Sequence, residues 1–106
     1  MRRLRVAAAA KQDLADIAAY TTEQWGSVQA RRYMLNLKSL FQRLLEYPGL
    51  GVARHDLGKR LRSIVGGSHI VFYADDGVVV EVVRVLHHAL DVGQTLRREP
   101  FRPLKR

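Results

Sequence analysis

Along this 106-residue chain the spacing of hydrophobic positions changes from two to about 3.6 and back to two. Arg3, Leu4, Arg5 and Val6 alternate charged and apolar, the mark of a half-buried strand, so residues 2–6 predict a short first strand. From Ala10 the period lengthens. Leu14, Ile17, Ala18, Thr21 and Trp25 recur at i, i+3, i+4, i+7 and i+11, which sets one helix face, Trp25 included, against a core. Gly26 stops that helix, and the Ser27 hydroxyl offers an N-cap to a second one. There Ala30, Tyr33, Met34, Leu37, Leu40, Phe41, Leu44 and Leu45 make a continuous apolar stripe. Gln29, Arg31, Arg32, Asn36, Lys38 and Arg43 occupy the remaining faces, and Pro48 with Gly49 ends the helix.

Gly51 and Gly58 mark residues 50–58 as a loop crossing from the helices to a sheet. Residues 60–65 and 68–74 then flank Gly66-Gly67, a dipeptide suited to the positive φ of a tight hairpin turn, and Asp76-Gly77 announces a second hairpin. The strand after it opens with six valines in eight residues from Val78 to Val85, the stiff branched side chain that suits a pleated surface. Two successive tight turns make an antiparallel three-stranded meander. The predicted fold is therefore α+β: an N-terminal strand, a helical hairpin, and a meander with the helices packed on one sheet face. Residues 1–91 form a single domain, followed by a basic tail over 92–106 that carries Arg97, Arg98, Arg102, Lys105 and Arg106 between Pro100 and Pro103.

Two-residue loops in both hairpins would place Ile64 opposite His69, and Arg62 opposite Val71, itself opposite Val82. Alternation then puts Arg60, Arg62, His69, Tyr73, Arg84 and His88 on one face. Leu61, Val65, Ile70, Phe72, Val79, Val83 and Val85 fall on the other, which reads as the core that the helices cover. Glu81 disturbs this sorting, and a three-residue second loop would instead turn Arg84 inward. The turn preference of Asp-Gly favours the first register.

The absence of cysteine excludes disulfides, thiolate chemistry and sulfur-ligated zinc, and suits a reducing compartment. No apolar run approaches the roughly 20 residues of a membrane span, so the chain is expected to be soluble and cytoplasmic, without membrane partners. Eighteen Lys and Arg against ten Asp and Glu leave a formal net charge of +8. Such a field attracts an acidic partner, either nucleic acid or an acidic protein segment. The excess of arginine over lysine suits planar recognition of phosphate or carboxylate.

The polar sheet face admits two chemistries. Arg62, His69, Arg84 and His88 could hold a phosphate and supply a general acid or base, as an RNA-cleaving site requires. The same surface, with Arg60, Tyr73 and His87, could instead be a groove for an acidic helix. A histidine near a strand end is more often a packed, hydrogen-bonded side chain than a catalyst. His87 and His88, adjacent on a strand, point oppositely and cannot chelate one ion, so neither a metal nor a cofactor is expected. A glycine-flanked serine elbow and a phosphate-binding glycine loop are both missing.

Taken together, Asp13-Leu14 with Ile17 and Tyr20, Trp25-Gly26, Gln29-Ala30, Tyr33, Pro48 with Gly51, Leu61-Arg62-Ser63, Gly67 with His69, Phe72-Tyr73 and Arg84-Val85-Leu86-His87 resemble the ParE toxin branch of the RelE/ParE superfamily. The resemblance runs from about Leu4 to Asp91. It implies a type II toxin held inactive by a ParD-like antitoxin whose acidic C-terminal segment folds on binding. It further implies DNA gyrase as the target and no chemistry of the toxin's own, with Arg60, Arg62, Tyr73, Arg84, His87, Arg97 and Arg98 as candidates for antitoxin or target contact. RelE-like members instead cut messenger RNA on the ribosome, using basic residues on the open sheet face and a tyrosine in the C-terminal helix. Here His69 and His88 stand where that branch tends to place arginines, and residues 89–96 contain no tyrosine. Arg62 and Arg84 keep the ribonuclease as the alternative.

Overall fold

A single residue separates the two helices. In the computed structural model, which describes residues 2–89, β1 (Arg3–Val6) leads into α1 (Ala8–Trp25), and α2 (Ser27–Glu46) follows directly after Gly26. Gly26 has φ +87°, its N–H donates to Thr22 O, and its carbonyl accepts from Ala30 N–H. This corrects the expected cap: Ser27 is already helical, and the left-handed φ that glycine tolerates makes the turn without a side-chain hydrogen bond. After a 3₁₀ turn at Pro48–Leu50 come β2 (Val52–Ala53), β3 (Leu61–Gly66), β4 (His69–Asp75) and β5 (Val79–His87).

The strands form one mixed sheet in the order β1-β5-β4-β3-β2, with β1 parallel to β5 and the other pairs antiparallel. The α+β fold with a helical hairpin and a meander is thus present, and one strand more than expected. Val52 and Ala53, read as loop, pair with Ser63 and Arg62; two residues are too few to show a period. The predicted basic tail, with Arg97 and Arg98, and the domain boundary at 91 lie outside the described residues.

Both hairpins have two-residue loops, each displaced by one residue from the expected position. Gly66 pairs with His69 around Gly67-Ser68, and Asp76 N–H bonds Val79 O around Gly77-Val78. The left-handed residues are Gly67 (φ +61°) and Gly77 (φ +92°), the first position of each loop rather than the second. Centring the turn one residue later shifts each pairing by two, so Ile64 faces Val71 and not His69. A shift of two preserves which side chains share a face.

The covered face is the one expected to be open. Val71, Tyr73, Val80, Val82 and Val85 form the main core with Ala10 and Ile17 of α1 and Leu37, Phe41 and Leu44 of α2, and Leu4, Val6 and Ile64 pack against it. Each fully buried side chain of this size contributes about 1.5–3 kcal/mol. Leu61, Phe72, Val83 and Leu86 form a separate cluster with Leu57 and Ile70. Both faces are therefore apolar in the middle of the sheet, and alternation alone could not tell which of them the helices would choose. A bulge opposite Phe72 and Tyr73 explains the misplaced residues of β5: Val82 and Val85 pack in one cluster although uninterrupted alternation would separate them. Glu81, beside Ala74 and Arg5, is largely buried at 3.9 Å from Arg5 Nη1, and burial pushes its carboxyl up while Arg5 opposes the shift.

Candidate functional site

β1 is shorter than β5. Its last pair is Val6 with Val82, and beyond that point the outer edge of β5 faces α1 instead of a strand. Asp13 fills the gap. Its carboxylate accepts from Arg84 Nε at 2.8 Å, Arg84 Nη2 at 2.9 Å and the Val85 backbone N–H at 2.9 Å, so one side chain satisfies both the guanidinium and the free strand edge. Above this floor lies a groove of about 800 Å³ whose walls are Ile17, Tyr20, Thr21 and Trp25 of α1, Gln29 and Tyr33 of α2, and His69, Leu86 and His87 of the sheet.

The groove is apolar where it is most open. Tyr20 is 64% exposed and Trp25 67% exposed. Trp25 was expected in the core, and the helix explains the difference: the buried stripe of α1 runs through Ala10, Ile17 and Thr21 and stops there, while Trp25 is the last residue of the helix. Two large exposed rings lining a concave surface make the kind of apolar patch that commonly marks an interaction site.

At the inner end Tyr33 organises the first hairpin. Its hydroxyl accepts from Ser68 N–H at 2.9 Å and lies 3.2 Å from Gly66 O and 2.6 Å from His69 Nδ1. All four groups are satisfied when His69 Nδ1–H donates to the hydroxyl and the hydroxyl donates to Gly66 O. Gly67 is required here twice over: its φ is +61°, and a Cβ would stand 2.6 Å from the Tyr33 ring. Burial lowers the pKa of His69, and His87 and His88 lower it further against the opposing Asp13. His87 meets His69 edge-on at 5.3 Å between ring centroids and stacks on His88 at 4.5 Å. The expectation that His87 and His88 point oppositely fails because β5 ends at His87 and His88 belongs to the following turn. Among the described residues no cluster of three His, Cys, Asp or Glu side chains is placed to hold a metal ion.

The other candidates belong to the far end of the sheet. Tyr73 is fully buried; its hydroxyl accepts from Gly51 N–H at 2.7 Å and donates to Pro48 O at 2.7 Å, tying β4 to the chain leaving α2. Burial pushes the phenol's pKa up. Arg62, paired with Tyr73, donates to Gly51 O at 2.7 Å. With Arg60 and Arg2 it lines a second cavity that shares no residue with the groove. The single polar face predicted from alternation is thus divided: His69, Arg84 and His87 border the groove, Arg60 and Arg62 border the second cavity, and Tyr73 is core. His69 starts β4 and Asp75 of the second cavity ends it, six residues or roughly 20 Å away.

A family model described as the ParE toxin of the type II toxin-antitoxin system parDE matches residues 4–92. The chain belongs to the ParE toxin family. Toxin ParE1 of Caulobacter vibrioides is 38% identical over 91 residues, covering 86% of this chain and 94% of that relative. Toxin ParE1 of Mycobacterium tuberculosis is 34% identical over 95 residues, covering 89% and 97%. A chain of the chromosomal ParDE toxin–antitoxin system from P. aeruginosa shares the fold, with a TM-score of 0.71 at 16% identity over 82% of this chain and 96% of that one. In this ParE-family chain many of the residues that carried the resemblance gather in two places. Asp13, Ile17, Tyr20, Trp25, Gln29, Tyr33, His69 and the run 84–87 surround the groove, while Pro48, Gly51, Arg62 and Tyr73 form the knot at the far end. Composition and periodicity did not single out Asp13 and Tyr20, and Trp25 before Gly26, which also suits an aromatic anchor for a partner, read as core because it continues the apolar spacing of α1.

Proposed function

We propose that this chain is the toxin of a ParDE pair, neutralised by a ParD-like antitoxin, and that it acts by binding DNA gyrase rather than by cutting RNA. The observation that carries the non-enzymatic reading is the separation of the candidate catalysts. Arg84 is engaged by Asp13, Arg62 by Gly51 O, and the two arginines line different cavities. A general base, a phosphate clamp and a leaving-group acid need a common point within hydrogen-bond reach, and His69 faces Tyr33 and the groove instead of Arg62. The names of the relatives support the toxin reading, and the P. aeruginosa system supports a protein partner.

The groove between α1 and β5 is the surface for the antitoxin. It offers Ile17, Tyr20, Trp25 and Leu86 to the apolar side of an amphipathic segment, and the net charge of +8 favours acidic residues on its other side. Exposed ion pairs in such a complex are screened over about 8–10 Å, so affinity falls with added salt.

Expression in a bacterial host tests the reading. Induction of the chain arrests growth, coexpression of the cognate antitoxin restores it, and Tyr20→Ala with Trp25→Ala leaves the arrest but weakens the rescue. Growth unaffected by induction would contradict the toxin reading; full rescue of the double variant would move the antitoxin off the groove.

A further inference from the structure

The second cavity, at the opposite end of the sheet from the groove, has no role in that account. It measures about 390 Å³ and is lined by Arg2, Pro48, Gly49, Arg60, Arg62 and Asp75. Three guanidiniums meet one carboxylate there. Arg2 Nε donates to Asp75 Oδ1 at 2.7 Å, which leaves two positive charges in excess among the described lining residues. Arg62 commits one N–H to Gly51 O, and Arg60 makes no hydrogen bond or ion pair among the described residues. A guanidinium has five N–H donors, so most of the donors around this cavity make no hydrogen bond among the described residues.

Arg60 also stands in a strained conformation. Its φ is +62°, the one left-handed non-glycine residue among those described. A branched or long side chain rarely adopts this region, and glycine would occupy it at no steric cost. Strain of this kind persists where the surroundings determine it and gathers at binding sites. Here the strained residue is the one whose guanidinium has no partner among the described residues while lining a cavity with two more.

We propose that Arg2, Arg60 and Arg62 form a binding site for a phosphate group. Planar guanidiniums match phosphate oxygens in pairs, and a phosphate offsets two excess positive charges better than a carboxylate does. The site binds without cleaving: Asp75 is held by Arg2, and the Tyr73 hydroxyl is engaged by Gly51 and Pro48 beneath the cavity. The phosphate comes from a nucleic-acid backbone or as the free ion, and the two sources are separable by experiment.

Arg60→Gly is the informative variant, because it removes the guanidinium while supplying the residue that φ +62° favours. The arginine Nε–Hε resonances of the full chain are followed by NMR during titration with inorganic phosphate at ionic strength held constant with chloride. Saturable shifts confined to Arg2, Arg60 and Arg62 are expected. In Arg60→Gly the shifts of the remaining two weaken by about tenfold in apparent affinity, with the thermal midpoint equal to or above that of the parent. Arg31→Ala, on the exposed face of α2, leaves them unchanged. Fluorescence anisotropy with a labelled DNA duplex then identifies the source: a similar loss of affinity in Arg60→Gly assigns a backbone phosphate, and unchanged duplex affinity assigns the free ion. Shifts that grow linearly and spread over all arginines, or phosphate binding undiminished in Arg60→Gly, overturn the proposal.

Discussion

Arg84 and Asp13, 71 residues apart in sequence, form a two-pronged ion pair at 2.8 and 2.9 Å with side chains only 10% and 11% exposed. The same carboxylate receives the Val85 N–H, so the pair closes the gap left where β1 ends and α1 begins. Removing one partner leaves a largely buried charge uncompensated, which costs about 3–5 kcal/mol. Asp13→Ala is accordingly expected to lower the unfolding free energy by about 3 kcal/mol in urea titrations, with the groove's inner wall loosened. Asp13→Leu combined with Arg84→Met costs less than Asp13→Ala, since no charge is then stranded.

This pair also marks what was legible in the sequence and what was not. Helix periods identified α1 and α2, and β-branched runs bounded by glycine identified β3, β4 and β5, because each signal is local. The loops of both hairpins were found but centred one residue early, since the dipeptides Gly66-Gly67 and Asp76-Gly77 do not reveal which residue takes the positive φ. Arg84 was recognised as a candidate while its partner was not. Joining it to Asp13 requires the early end of β1 and the bulge in β5, and both are tertiary events with no local spacing. The division of Arg62 from His69 was invisible for a related reason: alternation gives the face of a side chain but not the direction along the strand in which it is drawn.

Tyr73→Phe isolates the knot at the far end of the sheet. The variant keeps the buried ring and removes the hydroxyl that joins Gly51 N–H and Pro48 O. The buried Gly51 N–H and the partly buried Pro48 carbonyl lose their partner, an expected loss of about 1–3 kcal/mol. Guanidinium titration checks it, with the midpoint falling while the slope stays constant because the surface exposed on unfolding is the same.

Stability depends on pH through His69. Its folded-state pKa lies below the ordinary 6.5, chiefly from burial, then from His87 and His88, with Asp13 opposing. As the pH falls through the ordinary value the unfolded chain takes up a proton that the folded chain does not, so stability decreases. The stabilisation is complete above the ordinary value and lost as pH drops through the folded one. Thermal midpoints measured at intervals from about pH 8 to 5 should therefore decline on the acid side. His69→Asn, which keeps a polar group beside the Tyr33 hydroxyl, flattens that decline.

The proposed mode of action, a toxin that binds a target and performs no cleavage, is tested directly by one preparation in two assays. Purified protein is added to DNA gyrase with relaxed plasmid and ATP, and in parallel to translating ribosomes with a defined messenger RNA. Inhibited supercoiling with accumulation of cleaved DNA, and intact messenger, is the predicted result. Codon-positioned cuts in the messenger that disappear on Arg62→Ala or Arg84→Ala, with gyrase unaffected, would contradict it.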